Sequence, residues 1–334
     1  MIKNILKIIG GLAILFILLL VFFYSQHESV PADEVEWGIS FSHSYAEYLG
    51  FDWREIYLDV INDLKPKKLR LMTYWDASEP EKGRYDFQAV DEMLIEAEKQ
   101  NIDVILVVGR KQPRWPECHN PVWFDNYTAE EQDKEQLNFV KKSVEHFKQF
   151  NAIKIWQVEN EALFNFGEGC TNTPKLLLAE EVKLVRALDD RPVMVTDSGE
   201  IGRWVPVART ANPDIFGTTM YRTVYNKHIG YLKYPLPPGF FKIKSGILRT
   251  LTPVTDIRGV ELQAEPWFND SIESTDLEIQ NTLMNSKIFK DNIEYAKKTG
   301  FKEHYLWGVE WWYWMAHKHN DWSMWQTAKD LLSS

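Results

Sequence analysis

Two short stretches carry carboxylates to the place where a buried strand would end. The first is Trp156-Gln157-Val158-Glu159-Asn160-Glu161, which continues an apolar run that begins at Ile153. Read as a strand, its side chains alternate faces, so Ile155, Gln157, Glu159 and Glu161 share one side. Buried charge is costly unless it is paired or used. Taken alone, the segment reads as well as a structural ion-pair network as it does as a reactive site. The second stretch is Val260-Glu261-Leu262-Gln263-Ala264-Glu265-Pro266-Trp267, again with carboxylates on one face and a turn-forming Pro after the last of them. Two such strands favour chemistry. Carboxyl groups facing each other across a pocket are the equipment of glycoside hydrolysis: one protonates the leaving oxygen, the other attacks or activates water.

The elements that must position these groups follow from periodicity. Strands are expected at 35–41, 68–74, 104–108, 153–160, 192–196, 215–221, 259–264 and 304–309. Helices are expected at 53–64, after Asp86, after the capping box Thr128 to Glu131, and at 176–188, 204–210, 275–298 and 322–332. Residues 231–251 read as a long loop ending in a short helix. Eight strand–helix units predict a (β/α)8 barrel. No Gly-rich phosphate fingerprint follows a strand, which argues against a doubly wound sheet. Active sites of such barrels form at the C-terminal strand ends. That end would gather Trp75, Asn160, Glu161, Tyr221, Glu265, Trp311 and Trp312, with Glu161 and Glu265 facing across the mouth. Glu159 and Glu261 are expected one layer down, as structural partners of Arg70 or as buried polar groups.

Composition agrees with a sugar ligand. The 334 residues include 14 Trp, 14 Tyr and 18 Phe, whose flat faces suit sugar rings as well as a large core. The net charge of −10 argues against nucleic acid and against anionic lipid as partners of the domain. His43, His119, His317 and His319 lack metal-ligand spacing, and neither metal nor cofactor is expected. Lys3 and Lys7 precede an uncharged run from Ile8 to Tyr24 with no small-residue cleavage site behind it. Residues 1–25 are therefore expected to form a transmembrane signal anchor. Residues 26–34 would be a linker, and 35–334 a barrel held outside the cytoplasm. Secretion after cleavage is the alternative.

From residue 35 onward the chain resembles the clan A glycoside hydrolases, the (β/α)8 group that includes families 5, 39 and 42. The resemblance rests on Asn160-Glu161, on Glu265, and on the run from Trp75 to Phe87, which is similar to the clan's W-x(3)-E-P-x-x-G-x-Y-D-F segment. It implies that Glu161 is the acid/base and Glu265 the nucleophile. It further implies that Arg70 and Tyr221 surround that nucleophile, and that a Trp after the last strand, Trp311 or Trp312, floors the sugar. Asn160 would hold a hydroxyl near the reacting carbon. Ala162 departs from the clan, where many members have Pro, and no His is placed after the third strand. The expected activity is retaining hydrolysis of β-linked oligo- or polysaccharides, with the two carboxyls about 5–5.5 Å apart. A sugar-binding barrel without catalysis and a transglycosylase on the same site are the alternatives. Cys118 and Cys170 fall after strands three and four, which are neighbours in a barrel, so a bridge between them is expected outside the cytoplasm.

Overall fold

The computed structural model describes residues 2–25, 30–31, 34–168, 170, 173–268 and 271–333. Its strands are β1 (Glu36–Phe41), β2 (Lys68–Met72), β3 (Asp103–Val108), β4 (Ile153–Val158) and β5 (Val193–Asp197). They continue as β6 (Ile215–Met220), β7 (Thr223–Asn226), β8 (Gly230–Lys233), β9 (Asp256–Gln263) and β10 (Glu303–Trp307). Eight of them close a barrel in the order β1-β10-β9-β6-β5-β4-β3-β2, and every pairing is parallel. The expected barrel is therefore present. β7 and β8 form an antiparallel hairpin beside it.

The strands form because both of their faces are buried. In β3, Asp-Val-Ile-Leu-Val-Val, branched side chains suit the pleat on either side. Ile105 joins Ile155, Met194, Ile215, Val260 and Tyr305 in the barrel interior. Val107 joins Met72, Tyr74 and Trp307 in a second cluster, against which Tyr221 packs. Val104, Leu106 and Val108 face the helices. Each side chain buried in this way stabilises the fold by about 1.5–3 kcal/mol before chain entropy is counted. Helix Ala129–Phe147 opens with the expected capping box and turns Phe139, Val140, Val144 and Phe147 inward at helical spacing.

Several boundaries differ from expectation. β10 stops at Trp307, Gly308 turns with φ 132°, and a new helix runs over Val309–His319. The helix expected at 275–298 is two, Leu277–Leu283 and Ser286–Lys297. Asn285 divides them, because its Oδ1 accepts from the N–H groups of Lys287 and Ile288, both at 3.0 Å, and so caps the second. The stretch read as a loop holds β8 and a full helix, Pro238–Leu251, with Pro in its first turn.

Of the anchor expected at 1–25, the structure describes the helix. Residues Ile2–Ser25 are helical, and Ile8, Leu12, Phe16 and Leu19 are exposed. Among the described residues, no helix is long and apolar enough to cross a membrane. Of the linker expected at 26–34, residues 26–29 and 32–33 lie outside the described residues. Val30 is buried, and its N–H donates to the carbonyl of Lys297 at 3.1 Å.

Cys118 and Cys170 are bridged as expected, with Cα atoms 5.4 Å apart across 52 residues of sequence. Closing such a loop removes unfolded-chain entropy worth about 4 kcal/mol. Reduction, or a double Cys→Ser variant, should lower the urea midpoint by a large part of that amount. An unchanged midpoint would mean that the bridge leaves the unfolded ensemble unaffected.

Candidate active site

The site is built on a buried guanidinium. Arg70 lies on β2 inside the barrel, fully buried. Its Nε donates to Gln157 Oε1 at 2.8 Å and its Nη2 to Asn160 Oδ1 at 3.0 Å. Its Nη1 donates to Glu261 Oε1 at 2.9 Å and to the carbonyl of Val260 at 3.2 Å. A cation in such a place must be paired. Tyr221 completes the shell around Glu261, donating its hydroxyl to Oε2 at 3.0 Å. The donors expected around Glu265 therefore serve Glu261.

A bulge sets the height of Glu261. Thr218 and Thr219 pair with Gly259 and Glu261, and His304 and Leu306 pair with Gly259 and Leu262. Val260 is thus an extra residue on β9, which lets both it and Glu261 face inward. Thr219, the register partner of Glu261, directs its hydroxyl to Glu161 Oε1 at 3.4 Å. Glu161 and Glu261 consequently meet at one level. Burial pushes the Glu161 carboxyl well above its ordinary range, and the charge of Glu261 adds to the push.

The cleft has two lobes. Glu161, Glu261 and Asn160 line the smaller, of about 180 Å³, which the hairpin walls with Val224, Tyr225 and Leu232. The larger, of about 670 Å³, is lined by Glu265, Arg114, Tyr45, His119 and Trp307. Tyr221, Glu117 and Trp267 belong to both. Glu265 thus lies in the lobe beside Glu161 rather than opposite it. Its carboxylate pairs with Arg114, whose other nitrogen donates to Glu310 Oε2 at 2.8 Å. The Arg114 guanidinium sits 3.8 Å from the Tyr45 ring centre and 4.2 Å from that of Trp307. Burial raises Glu265 against the pull of Arg114.

Other expected site residues are structural. Trp75 is fully buried, stacks on Phe139 at 5.1 Å and donates to Glu79 Oε2 at 2.7 Å. Trp311 and Trp312 are fully buried in helix Val309–His319, donating to Gln280 Oε1 at 2.9 Å and to the carbonyl of Ala264 at 2.7 Å. The tryptophan at the tip of the last strand is Trp307, missed because that strand was read two residues too long. His119 was missed too. It follows β3 by a loop, and its ring lies 4.3 Å from that of Tyr74.

Glu159 does not point into the barrel. β4 ends at Val158, and Glu159 and Glu161 take φ of 59° and 48°. The Glu159 carboxylate turns outward and accepts from the N–H groups of Arg110 at 2.6 Å and Lys111 at 2.8 Å. Gly109 makes this approach feasible, since a Cβ there would lie 2.2 Å from Glu159 Oε1. Gln136 donates to Glu159 at 3.1 Å and to Glu181 at 2.7 Å. Burial and then the charge of Glu159 push the Glu181 carboxyl well up, so Glu181 keeps the proton. Glu159→Ala would strand two buried backbone donors, at about 1–3 kcal/mol each. The expected outcome is a lower urea midpoint at neutral pH together with reduced activity, because the same turn carries Glu161. A variant of wild-type stability would remove Glu159 from this role.

The model of glycosyl hydrolase family 10 matches residues 70–176, a stretch that holds Arg70, Asn160 and Glu161. A curated relative, the β-galactosidase LacZ of Lactobacillus acidophilus, is 23% identical over 205 residues, which are 55% of this chain and 31% of that protein. The chain thus spans about a third of that relative's length. Among solved structures, a family 10 endo-β-1,4-xylanase from Gloeophyllum trabeum is similar with a TM-score of 0.58 at 15% identity, over 90% of this chain and 96% of that one. An exo-β-1,4-mannosidase from Opitutaceae bacterium strain TAV5 is similar with a TM-score of 0.55 at 13% identity, over 82% of this chain and 51% of that one. At such identities the likeness speaks to the fold. The closed parallel barrel and the family 10 match, which runs from the second strand to beyond the fourth, make this chain similar to the clan A glycoside hydrolases.

Proposed function

We propose that this protein is a retaining β-glycosidase in which Glu161 is the acid/base and Glu261, rather than the expected Glu265, is the nucleophile. The observation that carries the reading is the contrast between two carboxyls in one lobe. Glu261 forms an ion pair with Arg70 and accepts from Tyr221, two partners that fix its carboxylate as a nucleophile needs. Among the described residues the Glu161 carboxyl has only the 3.4 Å contact from Thr219, and burial with a negative neighbour favours its protonated form. Protonation of the leaving oxygen by Glu161 would accompany attack by Glu261 on the anomeric carbon, forming a glycosyl-enzyme ester. Glu161, then ionised, would draw a proton from water or from an acceptor sugar as the ester is broken. Water gives hydrolysis and a sugar hydroxyl gives transfer.

The substrate class this reading supports is a β-linked oligo- or polysaccharide, since aromatic rings wall both lobes. Export from the cytoplasm is part of the same reading, and the Cys118–Cys170 bridge supports it, because such bridges persist in oxidising compartments.

Kinetics of three variants test the assignment. Glu261→Ala should lose turnover of every glycoside, by at least about a thousandfold. Glu161→Ala should keep the first step for aryl glycosides with good leaving groups, and should lose the alkaline limb of the wild-type pH profile, which reports deprotonation of Glu161. Glu265→Ala should keep measurable turnover. Loss of all turnover in Glu265→Ala with activity retained in Glu261→Ala would return the nucleophile to Glu265.

A further inference from the structure

Glu117 is a third carboxyl in the reaction chamber, and nothing in the proposed mechanism uses it. It sits on the loop after β3, immediately before the bridged Cys118, with φ 75° and only 9% of its surface exposed. It lines both lobes. Asn160 Nδ2 approaches its Oε2 at 3.4 Å, a weak contact, and its Oε1 accepts no hydrogen bond among the described residues. A carboxyl this buried is normally satisfied within the protein. Here it borders a cavity instead.

Its charged or chargeable neighbours within the lobe are carboxyls. Glu117, Glu161, Glu200 and Glu261 all line the smaller lobe, and among the described residues no Lys, Arg or His does. The nearby cations lie beneath and are engaged. Arg70 serves Glu261, Asn160 and Gln157, and Lys111 Nζ donates to the carbonyls of Glu161 at 3.2 Å and Phe164 at 2.7 Å. Glu200 is held by the N–H of Tyr221 at 2.7 Å. Glu117 is thus the acceptor left for a ligand, beside the Asn160 amide. Resting on the glycosidase reading, we propose that this lobe takes a sugar bearing a free, cationic amino group, with Glu117 as the acceptor that selects it.

An ammonium on the sugar would meet the unpartnered Glu117 oxygen, whereas a uronate would meet a lobe whose described residues offer it carboxyls and no free cation. The −10 net charge of the chain favours the encounter as well. Burial pushes Glu117 up to about 8, with Lys111 and Arg70 pulling it down and Glu261 pushing it up. The empty lobe at mildly acid pH therefore holds a neutral Glu117, and a bound ammonium would ionise it, releasing a proton.

The test is calorimetric titration of the full-length oxidised protein at pH 6.5 with methyl β-glucosaminide, methyl β-glucoside and methyl β-glucuronide, in buffers of different ionisation enthalpy. The glucosaminide should bind about tenfold tighter than the glucoside and release protons, and the glucuronide should bind weakest. Glu117→Gln should bring glucosaminide and glucoside to parity and abolish the proton release. Equal binding of amine and neutral sugar by wild type, or an amine preference that survives in Glu117→Gln, would overturn the proposal. The wild-type comparison stands even if the variant fails to fold. Aryl glycosides of the same sugars separate the two readings. An amine preference in binding without hydrolysis supports this proposal and counts against the hydrolase. Hydrolysis of neutral glycosides with no amine preference counts against this proposal alone.

Discussion

The arrangement of the reaction chamber depends on one buried cation. Arg70 is closed off from solvent, so every donor on its guanidinium must find an acceptor. Four of its five N–H groups find them on β4, just beyond its end and on β9, through Gln157, Asn160, Glu261 and the Val260 carbonyl. Residues from two strands that do not pair are thereby held to a third. Asn160 and Glu261 therefore share one anchor. Removing Arg70 would leave Glu261 buried beside Glu161 with only Tyr221 to hold its charge, and the electrostatic contrast between the two carboxyls would weaken.

A second dependence is on backbone shape. Two consecutive acidic tips, Glu159 and Glu161, both adopt positive φ, a region that non-Gly residues rarely visit. The conformation is held from behind. Glu159 takes two N–H groups of the loop after β3, while the N–H of Glu161 itself donates to Thr196 Oγ1 at 2.8 Å. One carboxylate is thus committed to structure so that its neighbour two residues on can face the cleft. At the other wall, Gly308 takes φ 132°, and a Cβ there would lie 2.6 Å from that of Glu265.

The barrel was legible in the sequence because its strands are short apolar runs between turn signals, and the helices between them carry clear apolar faces. Capping at Thr128 and the cysteine pair were legible for the same local reasons. The site was legible in outline only. Asn160, Glu161 and Tyr221 reach the cleft as expected. Alternation alone cannot reveal a bulge, and the extra residue Val260 changes how high Glu261 sits relative to Glu161. Trp311 and Trp312 were assigned to the sugar because a strand end was placed two residues late, and in a barrel that error exchanges a residue of the mouth for residues of a helix. Glu117 carries no motif at all. Its importance lies in what surrounds it, which only three dimensions supply.

The bridge between Cys118 and Cys170 has a further consequence. It begins one residue after Glu117 and joins that loop to the one that follows Glu161. Two long connections at the mouth are thereby tied to each other before any ligand arrives. A sugar entering this cleft meets a preorganised wall, and the entropy of arranging it is incurred once, when the chain folds and oxidises, instead of at each binding event.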